Sequence, residues 1–304
     1  MELSSKKRIF ADYLWNNPTR KIDNYKLKIK SHIPNAVTCC NLLSGCVATT
    51  FAFEGDFHRA FLFIIIGALF DFFDGMTARL FQVSSPIGKE LDSLADLVTF
   101  GLAPAAMVHT YMKLELSPAN GELFLNSRSV ALNANSAALN ANFPFLIAII
   151  LVFLPFLLTA FSALRLARFN LDERQTSSFI GLPTPANALF WGALFYNGKI
   201  NTFESGINPA DGASCASQFL SSNSSFLIII ALVLLFSWLL VSPIPMFSLK
   251  FHNFSWKENR VRYLFLAVSV LLLILLGIPG FAAIIGWYIV LSLLSKALVK
   301  QNKP

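Results

Sequence analysis

Eight runs of mostly apolar residues dominate this 304-residue chain, near 34–53, 59–81, 91–112, 144–168, 180–196, 224–242, 261–278 and 279–297. A helix of roughly 20 apolar residues matches the hydrocarbon thickness of a bilayer. In lipid, backbone N–H and C=O groups must be paired within the protein, which favours helices or closed barrels. The expected fold is therefore all-α: a polytopic membrane helix bundle of about eight transmembrane helices. Composition agrees, with 55% apolar residues, 13% charged residues and a mean hydropathy of +0.59. A soluble domain carries about 25% charged residues, so a soluble enzyme, a disordered chain and a disulfide scaffold are all excluded. The fifth run is the shortest and opens with Gly181, Pro183 and Pro185. Gly277, Pro279 and Gly280 read as a tight turn between the last two runs.

The basic residues test this topology. With the N-terminus on the cytoplasmic side, 20 Lys and Arg fall in inside segments and four (Arg59, Lys113, Arg128 and Lys199) fall outside. Cytoplasmic loops are enriched in Lys and Arg, so both termini are expected in the cytoplasm. The net charge of +7 then points to membrane lipids, not to nucleic acid. Residues 1–33 read as a basic cytoplasmic leader and 34–300 as the membrane domain. Within the leader Ile9, Phe10, Tyr13 and Leu14 share one helical face behind Lys6, Lys7 and Arg8, the pattern of an amphipathic interfacial helix. No apolar core follows these first basic residues, so a signal peptide is not expected. The segments 114–143 and 197–223 read as outside loops. Cys39, Cys40, Cys46 and Cys215 show no metal or disulfide spacing and are expected to be buried and inert.

Four aspartates interrupt the apolar pattern. Asp71 and Asp74 end the second run, and Asp92 and Asp96 begin the third. An aspartate at a helix centre costs about 2.5–3.5 kcal/mol on the insertion scale, so four sum naively to roughly 10–14 kcal/mol. At 100° per residue Asp71, Asp74, Gly75 and Ala78 share one arc, and Gly88, Asp92 and Asp96 share one stripe of the next helix. A short connection makes these helices antiparallel neighbours with facing acidic stripes. Clustered carboxylates suit Mg²⁺, Mn²⁺ or Ca²⁺ better than zinc. Proton relays also use intramembrane acids, and Asp92 alone could cap a helix. A cation or proton-coupled transporter is therefore the alternative from another class. Its usual marks are broken mid-membrane helices or paired repeats; neither is evident, and these acids sit near one membrane face. Gly75, Ala78 and Gly88 either let helices pack closely or leave room for a nucleotide, and spacing alone does not rank the two.

Read whole, the segment is Asp71-x-x-Asp74-Gly75-x-x-Ala78-Arg79, then eight residues, then Gly88-x-x-x-Asp92-x-x-x-Asp96. It resembles the signature of the CDP-alcohol phosphotransferase family at every fixed position. Within the family the chain resembles the phosphatidylserine synthase branch through three further segments: Ile33 to Thr38 with Asn41 to Gly45, Ala163 to Asn170, and Phe179 to Ala186. The resemblance implies a membrane enzyme that transfers the phosphatidyl group of CDP-diacylglycerol to L-serine and releases CMP. It implies one or two Mg²⁺ or Mn²⁺ ions and, by family likeness, a homodimer. Sister enzymes of the family use glycerol phosphate, inositol phosphate or choline instead.

The site expected on this resemblance holds metal with Asp71, Asp74, Asp92 and possible contact from Asp96, the general base for the serine hydroxyl. Gly75, Ala78, Arg79 and Gly88 match the nucleotide-binding positions. Arg79 also has the length to snorkel to the interface. Thr38 and Asn41 either contact the nucleotide or join helices by hydrogen bonds. Serine carries a carboxylate, and Arg165 and Arg168 are the cations placed to bind it or a donor phosphate. Their alternative role is positive-inside anchoring.

Overall fold

A computed structural model describes residues 18–82, 85–115, 149–171, 179–196, 225–246 and 256–301. The described chain is almost wholly helical. Helix α1 spans Pro18–Glu54 and α2 spans Phe57–Phe81. Helix α3, Pro86–Asp96, runs into a π-helical turn, Leu97–Leu102, and then α4, Ala103–Glu115. Next come α5 (Phe156–Leu171), β1 (Phe179–Ile180), α6 (Thr184–Phe195) and α7 (Ser225–Val241). The chain continues through β2 (Pro245–Met246), α8 (Trp256–Leu276) and α9 (Gly280–Gln301).

Helices occur in all eight apolar runs. Among the described residues, five helical segments are long and apolar enough to cross a bilayer: His32–Glu54, Phe57–Phe81, Pro86–Leu114, Ile149–Leu171 and Asn259–Leu276. Phe226–Val241 and Gly280–Leu294 are shorter apolar helices. The fifth run departs most from expectation. Helix α6 has 12 residues, about 18 Å at 1.5 Å per residue, which is less than the roughly 30 Å hydrocarbon layer. Its Asn187, Phe190, Trp191, Gly192 and Phe195 are all buried, so other helices cover much of its surface. An added Cβ on Gly192 would collide with the Phe61 ring. Before α6 the backbone is extended and locked onto the end of α7. Gly181 N–H donates to Ile244 O at 2.9 Å and Leu182 N–H to Leu239 O at 3.0 Å. Gly181 has φ +78°, and a Cβ there would stand 2.6 Å from Leu240 O, so only glycine fits.

Helix α1 is the central post, packing against α2, α3, the π turn and α4. It begins at Pro18 and runs through the boundary expected at 33/34. The expected interfacial helix around Ile9 to Leu14 lies outside the described residues, as do most of the loops at 114–143 and 197–223 and Cys215. Large apolar side chains such as Phe72, Leu80, Ile87 and Ile274 are exposed on the outer surface, a pattern suited to lipid and hostile to water. The cysteines correct an expectation: Cys39, Cys40 and Cys46 are free and exposed on α1. They lie beside the exposed Leu43 and Val47, where lipid and not protein packing shields a thiol.

Candidate active site

The loop from α2 to α3 ends in a built helix start. Ser85 is extended at φ −126°, ψ 141°, its hydroxyl accepts the Gly88 N–H at 2.9 Å, and Pro86 follows at the first helical position. Such a cap fixes the direction of α3. The two acidic helices scarcely touch each other, in contrast to the neighbours expected from sequence, and each leans on α1. The space between them is a cleft of about 250 Å³ lined by Pro34, Asn35 and Thr38 of α1, Asp74, Gly75 and Ala78 of α2, and Ser85, Gly88, Lys89 and Asp92 at α3.

Asp74 and Asp92 line this cleft, and Asp71 joins them from behind. Carboxylate oxygens of Asp71, Asp74 and Asp92 lie within 4.8 Å of one another. Asp74 is buried, and its Oδ2 has no hydrogen-bond partner among the described residues. A buried carboxylate oxygen without a donor is strongly unfavourable unless a cation meets it. The all-oxygen donor set and that orphaned oxygen both fit a hard divalent ion. Asp96 stands outside the three-acid group, one turn beyond Asp92. It remains close enough to Asp71, Asp92 and Asp74 for their charges to act on it. Its Oδ1 accepts the Asn41 amide at 3.2 Å.

The remaining expected site residues divide. Thr38, Gly75, Ala78 and Gly88 line the cleft, whereas Asn41 and Arg79 do not. Asn41 is fully buried behind the acids, and Arg79 is exposed near the end of α2. The two glycines have different neighbours. An added Cβ on Gly75 would meet nothing within 4 Å, while one on Gly88 would meet Asn35 Oδ1 and Ser85 Oγ, each at 2.9 Å. Gly75 therefore borders open cleft, and Gly88 leaves room for the Asn35 amide and the Ser85 cap.

Arg165 and Arg168 also part. The Arg165 Nη1 donates to Thr184 Oγ1 at 3.4 Å, its Nε is buried without a partner, and Asp96 and Tyr288 are its charged and polar neighbours. Arg168 is exposed and donates to the Val241 carbonyl at 3.3 Å, where a cation complements the C-terminal end of α7. Sequence reasoning missed Asn35, Ser85 and Lys89. The Lys89 ammonium donates to Asn170 O at 3.0 Å, and the Asn170 amide donates to Ser93 Oγ at 2.9 Å. These bonds tie the end of α5 to the rim of the cleft. Asn35 and Lys89 do lie inside the motif-bearing segments, which was the available signal.

Fold and site together define a polytopic helical membrane protein with a carboxylate-lined cleft where α2 ends and α3 begins. The chain belongs to the CDP-alcohol phosphatidyltransferase family, whose model matches residues 31–207, more than half of the chain. It is 32% identical over 155 residues to the CDP-diacylglycerol–serine O-phosphatidyltransferase of Bacillus subtilis, covering 51% of this chain and 70% of that protein. It is 47% identical over 83 residues to the Saccharomyces cerevisiae protein of that name, covering 25% and 30%. The Helicobacter pylori protein of that name is 29% identical over 161 residues, covering 51% and 54%. The chain thus spans more than two thirds of the first relative and about half or less of the other two.

Proposed function

We propose that the protein is a phosphatidylserine synthase that joins CDP-diacylglycerol to L-serine and releases CMP. The convergence of Asp71, Asp74 and Asp92 carboxylates, two of which line the cleft, carries this reading, together with the names of the relatives. The cleft borders apolar outer surface, so a donor with lipid tails and a charged pyrophosphate can be held there at once. Asp71, Asp74 and Asp92 are the residues that would hold Mg²⁺ or Mn²⁺. When bound, such ions supply charge neutralisation and orientation of phosphate oxygens.

This chain's own residues do the rest. Gly75 and Ala78 leave space for the nucleotide against the α2 backbone, and Thr38 and Lys89 border it from α1 and α3. Asp96 accepts the proton of the serine hydroxyl. The serine oxygen bonds to the phosphatidyl phosphorus, the bond from that phosphorus to the pyrophosphate bridging oxygen breaks, and CMP leaves with the electron pair. Arg165, half-buried within reach of the charge of Asp96, offers its guanidinium to the serine carboxylate. Arg168 holds α7 in place, and Arg79 reaches donor phosphate or the interface. The bias of Lys and Arg supports both termini and the cleft on the cytoplasmic side, with residues 1–33 as leader and 34–300 as the membrane domain. The assembled enzyme is a homodimer, on family likeness.

The test is radiolabelled serine with CDP-diacylglycerol and Mn²⁺, the lipid product being separated and counted. Labelled phosphatidylserine with stoichiometric CMP is the expected result. Product with glycerol phosphate, inositol phosphate or choline but none with serine would reassign the acceptor. No lipid product with any alcohol would overturn the enzyme reading.

A further inference from the structure

Asn41 lies on α1, fully buried and outside the cleft. Its side-chain amide donates to Asp96 Oδ1 at 3.2 Å, and its backbone carbonyl accepts the Thr99 hydroxyl at 3.0 Å. Thr99 belongs to the π turn that starts one residue after Asp96. A π turn carries an extra residue, which breaks the α-helical ladder and re-aims the side chains around it. This turn is gripped from two sides, because the Thr159 hydroxyl of α5 donates to Gly101 O at 3.1 Å. Two glycines make the grip possible. A Cβ on Gly45 would collide with Thr99, and one on Gly67 would stand 2.5 Å from Thr99 Cγ2 and 3.0 Å from Asn41 Oδ1. The backbones of α1 and the π turn therefore close up behind Asp96, with the Thr99 and Asn41 side chains packed against Gly67 of α2.

We propose that Asn41 is the positioning residue for Asp96, and that the Asn41–Thr99 bond holds the π turn in the register that aims this carboxylate at the acceptor. The inference rests on Asp96 being the proton acceptor. A carboxylate with one oxygen tied to a buried amide, on a helix end pinned from both sides, cannot swing away from its target. Holding a reacting group within a fraction of an ångström of its productive position is a large part of catalytic rate. Asn41 then acts through Asp96 and leaves the donor site alone.

The full-length enzyme in mixed micelles tests this by separating kcat from KM. Asn41→Ala should lower kcat about 10- to 100-fold while the KM for CDP-diacylglycerol stays within about twofold. Thr99→Val should lower kcat in the same pattern, and Thr99→Ser, which keeps the hydroxyl, should recover most of it. A matching rise in donor KM would make Asn41 a nucleotide contact and overturn the proposal, as would an unchanged kcat. Thermal unfolding without substrates gives a readout independent of turnover. The Tm shifts of Asn41→Ala and Asp96→Ala should be non-additive in the double variant, because groups in direct contact couple; additive shifts would refute the pairing. If wild type makes no lipid from serine, the functional reading fails on its own, and the double-variant cycle still decides the Asn41–Asp96 pair.

Discussion

Gly88 faces Asn35 so closely that a Cβ at residue 88 would stand 2.9 Å from the Asn35 Oδ1. Four positions short of Asp92, a side chain on α3 would displace the Asn35 amide of α1 and the Ser85 hydroxyl that caps α3. Across the cleft Gly75 has nothing within 4 Å of its missing Cβ. Two glycines of one motif thus serve different purposes, one for helix packing and one for open space. Gly88→Ala should lower stability by about 1–3 kcal/mol through overpacking. Gly75→Ala should leave stability unchanged or slightly raised, since alanine is the better helix former by about 1 kcal/mol, yet raise the KM for CDP-diacylglycerol. Thermal unfolding and donor saturation curves of the two variants check this; equal loss of Tm in both would contradict the distinction.

Asp71→Asn and Asp96→Asn should fail in different ways. Without Asp71 the activating concentration of Mn²⁺ and the KM for CDP-diacylglycerol should rise together. Without Asp96 turnover should fall by about 10²–10⁴, the range for loss of a general base, with donor binding retained. Metal titrations of initial rate and equilibrium binding of CDP-diacylglycerol distinguish the cases. Substantial turnover by Asp96→Asn would remove it from the proton transfer.

Arg165 and Arg168 should separate as cleanly. Arg165→Lys keeps the charge but loses the planar fork suited to a carboxylate, so the KM for serine should rise about tenfold or more. Arg168→Gln should cost about 0.3–1 kcal/mol of stability, the scale of a cation at a helix C-terminus, with the KM for serine unchanged. Serine saturation curves and Tm values check both. A serine defect confined to Arg168→Gln would reverse the assignment.

Metal removal should silence the enzyme reversibly. EDTA treatment should abolish turnover, and Mg²⁺ or Mn²⁺ should restore it, because a cluster of buried and half-buried carboxylates repels the anionic donor until neutralised. Full activity after exhaustive chelation would argue against a metal at Asp71, Asp74 and Asp92.

Much of this was legible in the chain. Apolar runs locate helices because lipid leaves the backbone few alternatives. The grouping of Asp71 with Asp74 follows from 3.6-residue periodicity, and the approach of Asp92 from the short connection between the helices. What stayed hidden depends on contacts distant in sequence. Asn41 reads equally well as a nucleotide ligand or a helix contact until Asp96, 55 residues away, is seen to accept its amide. Arg165 and Arg168 stand one turn apart in a basic cluster, and only the fold shows one turned inward to Thr184 and the other outward to Val241. How much of helix α6 is covered by protein was hidden because burial by protein and burial by lipid select the same apolar residues. The exposed cysteines of α1 are the reverse case, for the same reason.

The most direct measurement is anomalous scattering from crystals grown with Mn²⁺ and CDP-diacylglycerol. A manganese peak should lie within about 2.0–2.6 Å of carboxylate oxygens from Asp71, Asp74 and Asp92, the range for hard cations on oxygen, with the donor's phosphates against it. Manganese bound elsewhere, or a donor pyrophosphate seated away from these three acids, would contradict a shared ion as the centre of the site.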